Sequence, residues 1–323
     1  MIWLSWRLHR SAVLAFAAIF GVMGALYLVD SFRLQHAFDV ANLRECIGVL
    51  DNASCHTRVA LFIEYEAGWR IVTALLVIAA AGALGVFLGG PLVGTEFERG
   101  TWQWIWTQPI SRTRWLAVNY LVVGAMVAVL GAMLGAAFSW WARPLTALQG
   151  SFDVLMFDNT PLMCAVYSLF GFSVGVAASA LLRRTLAAMG ATIVVFLATR
   201  FAFDFLLRRH YMSPVLVEWT ADEYGRPLSV DRRNWGFTGS WADSAGKDVD
   251  DVTISRMLDP QTNPAAAGHE WYEVLRQNGI HYYDWTQPYQ RFGTFQLIEA
   301  GIFLGLTVGC AALAFWHIRR RTA

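Results

Sequence analysis

The sequence predicts an all-α integral membrane protein with six transmembrane helices, and three observations carry that prediction. The 323 residues are 56% hydrophobic and only 15% charged, with a mean hydropathy of +0.41, whereas a soluble domain is nearer a quarter charged. The apolar residues come in long blocks rather than in the short periodic stripes of a water-soluble core. The connections between those blocks also carry a lopsided charge.

About 20 apolar residues are needed to cross a hydrocarbon core. Six segments reach that length: 11–30, 71–93, 116–141, 162–182, 186–207 and 292–317. The opening MIWLSWRLHR has the charge of a signal-peptide start, but no small-residue cleavage site follows the apolar run behind it, so it reads as an uncleaved first span. Trp3, Trp6 and Arg10 fall near one side of this opening at helical spacing, with Arg7 beside them. That pattern suits an interfacial helix over residues 1–10, and equally a plain positive anchor.

Orientation follows from the arginines. Arg7, Arg10, Arg99, Arg112, Arg114, Arg183, Arg184 and Arg319 to Arg321 share one side with only two acids, Glu96 and Glu98; the other connections hold 14 basic and 19 acidic residues. Short basic loops stay in the cytoplasm, so both termini are expected there, in a bacterial inner membrane. The preference for arginine itself, with Lys247 the single lysine, fits a GC-rich genome as well as any function.

Two long connections, 31–70 and 208–291, then face outside. Cys46 and Cys55 share the first of these at a spacing that favours a local disulfide outside a cell. Cys164 and Cys310 fall within spans and read as small apolar core residues. The second connection is rich in Asp, Trp, Tyr, Gly and Pro and is expected to form a small extracytoplasmic domain. Within it NPAAAGHEWYEVLRQNG reads as a short helix stopped by Asn278-Gly279. The same stretch raises a hydrolase alternative through His269, Glu273, His281 and Asp284. However, a metallopeptidase helix needs H-E-x-x-H, and the fifth position here is Glu273, so no metal site is assigned.

Charges also fall inside the membrane. Arg200 and Asp204 lie one turn apart in span five, and Glu299 lies in span six. A charge at such depth costs about 2.5–3.5 kcal/mol on insertion scales. Opposite running directions put Arg200 and Glu299 at matching depth, roughly 10 Å inside the outer boundary at 1.5 Å per residue. Such a polar cluster reads either as a lock between spans five and six or as a polar patch in a translocation path. Charges of opposite sign at one depth satisfy one another, which favours the lock.

The connection between spans two and three reads PLVGTEFERGTWQWIWTQPISRTRW. Gly94 is expected to end span two, with Gly89-Gly90-Pro91 inviting a kink just before it. A short helix then runs through Trp106 until Pro109 breaks it. Interfacial belt residues explain Trp102, Trp104 and Trp106. They do not explain Glu96 and Glu98 on a face otherwise almost purely basic.

This stretch resembles the cytoplasmic segment of ABC-2 type transporter permeases, in which an acidic turn, a Gly-Thr pair, a short helix and a Thr-x-Pro-[Val/Ile]-Ser-Arg ending lead into the third span. Glu96 and Glu98 match the turn, Gly100 and Thr101 the pair, and Thr107, Pro109, Ile110, Ser111 and Arg112 the ending. The resemblance implies a type V exporter fold: an interfacial start, a coupling helix at 94–108, spans one to five over 11–207, an insert at 208–291, and span six with a basic tail at 292–323. It also implies that Glu96, Glu98, Gly100, Thr101, Trp102, Thr107, Pro109 and Arg112 dock on a separate cytoplasmic ATPase. Two such ATPases, a second permease that is a copy or a sibling, and surrounding lipids would complete the complex. ATP and Mg belong to the partner, because the chain has no G-x-x-x-x-G-K-[ST] loop and Lys247 follows a lone glycine. No catalytic residue, cofactor or nucleic-acid site is assigned to this chain. The coupling helix is tryptophan-rich where the family's is leucine-rich, and the insert is longer than the family's short re-entrant hairpin. Export of a lipid-like or amphiphilic drug-like molecule is the family default; a complex that senses or remodels the outer face without carrying cargo is the rival.

Overall fold

A computed structural model describes residues 2–47, 53–100, 111–219, 233–266 and 271–321. Among the described residues, six helices are long and apolar enough to cross a membrane: His9–Val40, Gly68–Glu98, Thr113–Trp141, Pro161–Leu182, Thr185–His210 and Tyr289–Arg320. These are spans one to six. Their even number brings both termini to one end of the bundle, here the proximal end, and leaves the long insert at the other, the distal end.

Residues Ile2–Val40 form a single 39-residue helix, so the opening residues run into span one without a break. Nothing there would break a helix, since positions 2–20 contain neither Gly nor Pro. The same continuity shortens the first outer connection, because the next helix, Ala53–Leu84, begins well before the apolar block. The hairpin is closed by a Cys46–Cys55 disulfide with Cα atoms 5.5 Å apart.

Span two does not end at Gly94. The helix widens into one π turn over Gly85–Gly89 and continues as Gly90–Glu98. Pro91 stands at the start of that last piece, where a missing N–H removes little. The glycines here serve packing. A Cβ on Gly85 would lie 2.4 Å from the Gly171 carbonyl carbon, and one on Gly175 would lie 2.8 Å from the Gly90 nitrogen. Spans two and four therefore touch backbone to backbone, as small residues permit in membranes.

Span four is enclosed by its neighbours. Its helix, Pro161–Leu182, is capped by Thr160, whose hydroxyl accepts from the Met163 N–H, and span three by Ser111, which accepts from Arg114 N–H. One apolar core joins spans one, two and three through residues such as Tyr27, Leu34, Val77, Val127 and Phe138. A second, strongly aromatic core lies distally, where Phe152, Phe157, Phe170, Phe295 and Phe303 meet. Phe152 stacks on Trp235 of the insert with ring centres 5.7 Å apart and planes at 20°, which seats the insert on the bundle.

The insert adds an element that sequence reasoning did not include. Four antiparallel strands, β1 Val215–Trp219, β2 Trp235–Ala242, β3 Asp248–Val249 and β4 His281–Gln287, form a sheet in the order β1-β4-β2-β3. Ile254, Leu275 and Ile280 make its small core. The anticipated helix spans Trp271–Gln277, and Gly279 beyond it has φ +68°, a left-handed stop.

Candidate functional site

The described part of the acidic turn ends at Gly100, where φ is +70°. Thr101, Trp102, Thr107 and Pro109 lie outside the described residues, and Arg112 opens the helix of span three with its side chain outside them too. Glu96 lies within electrostatic reach of His9 on the first helix. Glu98 is engaged inside the chain: its carboxylate accepts from the Thr185 backbone N–H at 2.8 Å and the Thr185 hydroxyl at 2.9 Å. Thr185 begins the helix of span five, whose own N-cap residue, Arg184, makes no side-chain cap. Glu98 thus caps another helix's N-terminus, where orphan N–H groups and the helix dipole both favour a carboxylate. The fit is close, because a Cβ on Gly94 would stand 2.9 Å from the Thr185 hydroxyl. Arg183, in the same turn, sits 5.5 Å from the Phe97 ring centre.

The distal end holds a buried charge cluster. The structure brings Arg200, Asp204 and Glu299 together and adds Asp158 and Arg208. Arg200 contacts Asp204 at 2.9 Å, Glu299 at 3.2 Å, and Asp158. Arg208 reaches Asp158 and Asp204 at 2.7 Å each and Glu299 through Nε at 2.8 Å. Tyr211 donates to Glu299 at 3.1 Å, and Tyr167 donates to its other oxygen. The Arg200 guanidinium lies 3.7 Å from the Tyr167 ring centre, and that of Arg208 4.0 Å from Phe157. Glu299 and Arg208 are both 0% exposed, and Arg200 and Asp158 are buried with them, while Asp204 stays partly open at the edge of the cluster.

Sequence reasoning missed two members for different reasons. Arg208 continues the Arg200–Asp204 spacing by four more residues, a visible signal on the same helix. Asp158 ends a short helix, Val154–Asp158, ahead of span four, and nothing in the sequence points it inward. Among the described residues, Asp158, Asp204 and Glu299 form the group of three whose oxygens converge within 4.8 Å as a metal site would need. Two guanidiniums, those of Arg200 and Arg208, already occupy the space between them and offset two of the three charges. The hydrolase alternative fares no better. His281 and Asp284 stand three apart on β4, which directs them to opposite faces of the sheet, and burial pushes the Asp284 carboxyl up. His269 lies outside the described residues.

A family model described as ABC-2 membrane transporter related matches residues 17–208, more than half of the chain. The chain belongs to that family. No curated protein and no solved structure matches it. The chain is therefore the multi-pass membrane component of a transporter, not itself catalytic, in a family that works with ATPase partners. The match runs through spans one to five and stops at Arg208, so it takes in the Glu98–Thr185 contact and four of the five clustered charges. Glu299 and the insert lie beyond it.

Proposed function

We propose that this permease is the membrane half of an exporter, driven from the proximal side by a separate ATPase that docks on the coupling segment between spans two and three. Both ends of the chain then lie in the cytoplasm, as the ten basic residues there favour. The 208–291 insert is extracytoplasmic, and the complex holds two permeases and two ATPases. The observation that carries the reading is the acidic turn: Glu96 and Glu98 stand at the end of span two on an otherwise basic face, and Glu98 ties that turn to the start of span five by accepting from Thr185.

Affinity purification from native membranes tests this, with wild type beside a Glu96→Arg, Trp102→Ala variant. An ATP-binding subunit should copurify with wild type and be lost from the variant. Equal recovery from both, or no ATPase with wild type, removes the coupling reading.

A second reading has one observation in its favour. The insert is a folded unit with its own sheet and core, as a sensor or remodelling complex would need. In a reconstituted complex a transporter moves labelled amphiphile in proportion to ATP consumed, while a sensor turns over ATP and moves none.

The buried cluster acts in this proposal as a lock between spans five and six. Charges that are mutually paired, with only Asp204 partly open, leave little room for cargo.

A further inference from the structure

An apolar groove of about 550 Å³ runs between spans one and three on the outside of the bundle. That volume lies within the range of small-molecule sites, roughly 300 to 1,000 Å³. Its origin is legible in the sequence. Ala17, Gly21, Gly24 and Ala25 stand at positions i, i+4, i+7 and i+8 of span one, so they share one face of that helix. A Cβ on Gly24 would lie 3.7 Å from the Ala137 Cβ of span three, an ordinary contact, whereas one on Gly21 would meet nothing within 4 Å. The two helices therefore touch along a floor. Beside it the missing side chains leave a channel that Met133 and Trp140 wall from span three.

The channel has the length and level of one leaflet. Residues 17–28 line it from span one and residues 130–140 from span three. At 1.5 Å per residue the first range covers about 16 Å, close to half of a hydrocarbon core of about 30 Å. Trp140 stands one residue before the end of span three, so the channel opens at the distal boundary. Arg143 follows that end by two positions, is exposed, and holds its guanidinium 3.9 Å from the Trp140 ring centre. Among the described residues, that ring is the partner of Arg143 and no carboxylate pairs with it. Stacking occupies the guanidinium's face and leaves its N–H edge for an oxyanion. A cation thus stands over the mouth of an apolar channel at the level of lipid headgroups.

An empty channel forfeits dispersion contacts along both walls, and apolar helices in a bilayer have no hydrophobic drive to close it. We propose that the channel holds one acyl chain of a phospholipid of the distal leaflet, whose phosphate is bound by Arg143. The site then prefers a net anionic lipid to a zwitterionic one, because no lipid ammonium competes with Arg143 for the phosphate. A second copy seated on the same face by a two-fold axis would bring a second Arg143 to the same level, like charge beside like charge. The inference does not depend on the export reading.

The test places the full-length protein in phosphatidylcholine bilayer discs containing a trace of phosphatidylglycerol or phosphatidylcholine with a photoreactive diazirine in one acyl chain. Illumination is followed by mapping of labelled peptides by mass spectrometry. In wild type, Ala25 and Met133 should be labelled at least fivefold more than Phe201 and Leu297, which are exposed elsewhere on the bundle, and more by the phosphatidylglycerol probe than by the other. Gly21→Leu fills the channel and should lower groove labelling to the level of Phe201 and Leu297. Arg143→Gln should leave the groove labelled and equalise the two probes. Both positions are exposed, and leucine is a better helix former than glycine; unchanged labelling at Phe201 and Leu297 verifies that each variant is folded. Even labelling of all four positions, equal labelling by the two probes in wild type, or a groove still labelled in Gly21→Leu overturns the proposal. So does an unlabelled groove in which Met133→Cys forms a disulfide between copies, which would give this face to a second copy of the chain.

Discussion

Arg208→Gln should unfold this permease more readily than Glu299→Gln, although both remove one charge from the same buried cluster. Three carboxylates face two guanidiniums in the wild type. Glu299→Gln leaves two of each and keeps the shape. Its cost is the loss of charge-assisted bonds from Arg200 and Arg208 at 3.2 and 2.8 Å, and an amide NH₂ turned toward donors. Arg208→Gln leaves three carboxylates around Arg200 alone, in a place where Asp158 and Glu299 are 1% and 0% exposed. Breaking a buried pair from one side costs about 3–5 kcal/mol. The glutamine variant at 299 should cost roughly 1–3 kcal/mol, the range for lost hydrogen bonds to charged groups.

The assay is size-exclusion recovery after heating detergent-solubilised membranes. Arg208→Gln should lower the midpoint by on the order of 10 °C, given about 2–4 °C per kcal/mol for chains of this class, and Glu299→Gln by clearly less. The double variant restores the original excess of one carboxylate, so it should be more stable than the sum of the two single losses, with a coupling of about 0.5–3 kcal/mol. A midpoint for Arg208→Gln within 2 °C of wild type, or a larger fall for Glu299→Gln, would refute the charge reasoning. Glu299→Gln at normal abundance with altered cargo-stimulated ATP turnover would replace the lock by the translocation-path role.

Three further outcomes follow from the geometry. Glu98→Ala should remove the cap on span five and loosen the start of that helix; on the coupling reading the ATPase still copurifies while its stimulated turnover falls, and a loss of copurification would return Glu98 to the docking surface. Replacing Cys46 and Cys55 by Ala should lower thermal stability by roughly 2.5 kcal/mol, from the chain entropy of a loop about nine residues long, and without reductant a maleimide should leave both cysteines of the wild type unlabelled. Gly175→Leu should abolish stable protein, because even its Cβ would stand 2.8 Å from the Gly90 nitrogen; normal levels would mean that spans two and four can separate.

Hydropathy made the bundle legible, since six apolar blocks appear in the structure as six long helices. Their ends were less legible, because hydropathy marks where lipid begins and not where a helix stops. Residues 31–40 and 53–67 are too polar to read as span, yet they remain helical because nothing in them breaks a helix and the disulfide closes the hairpin. The sheet was missed because β4, HYYDWTQ, carries aromatic residues without clean alternation, and its partners lie far away in sequence. Arg200, Asp204 and Glu299 were legible because a charge in an apolar run is conspicuous. Asp158 sits among polar connecting residues, where one more acid draws no notice, and only tertiary packing reveals it.

Span five is fastened at both ends by contacts that cross between elements. Proximally, Glu98 at the end of span two holds its first residue, Thr185. Distally, Arg200 and Arg208 hold it to Glu299 of span six and to Asp158 ahead of span four. Between these ties span five rests one face on spans two and four through Ala188, Thr192 and Phe196, while Leu186, Val194, Leu197 and Phe201 are exposed on the other. A helix tied at its ends and free along one side moves most easily by tilting about the stronger tie. That tie is distal, where several buried ion contacts face two hydrogen bonds at an exposed cap. On the coupling reading, a displacement of the acidic turn would reach span five through Glu98 and swing its proximal half while the charge cluster holds the distal half in place. The two sites then have separable roles: weakening the cap should uncouple the helix from its drive, and weakening the cluster should cost the fold itself.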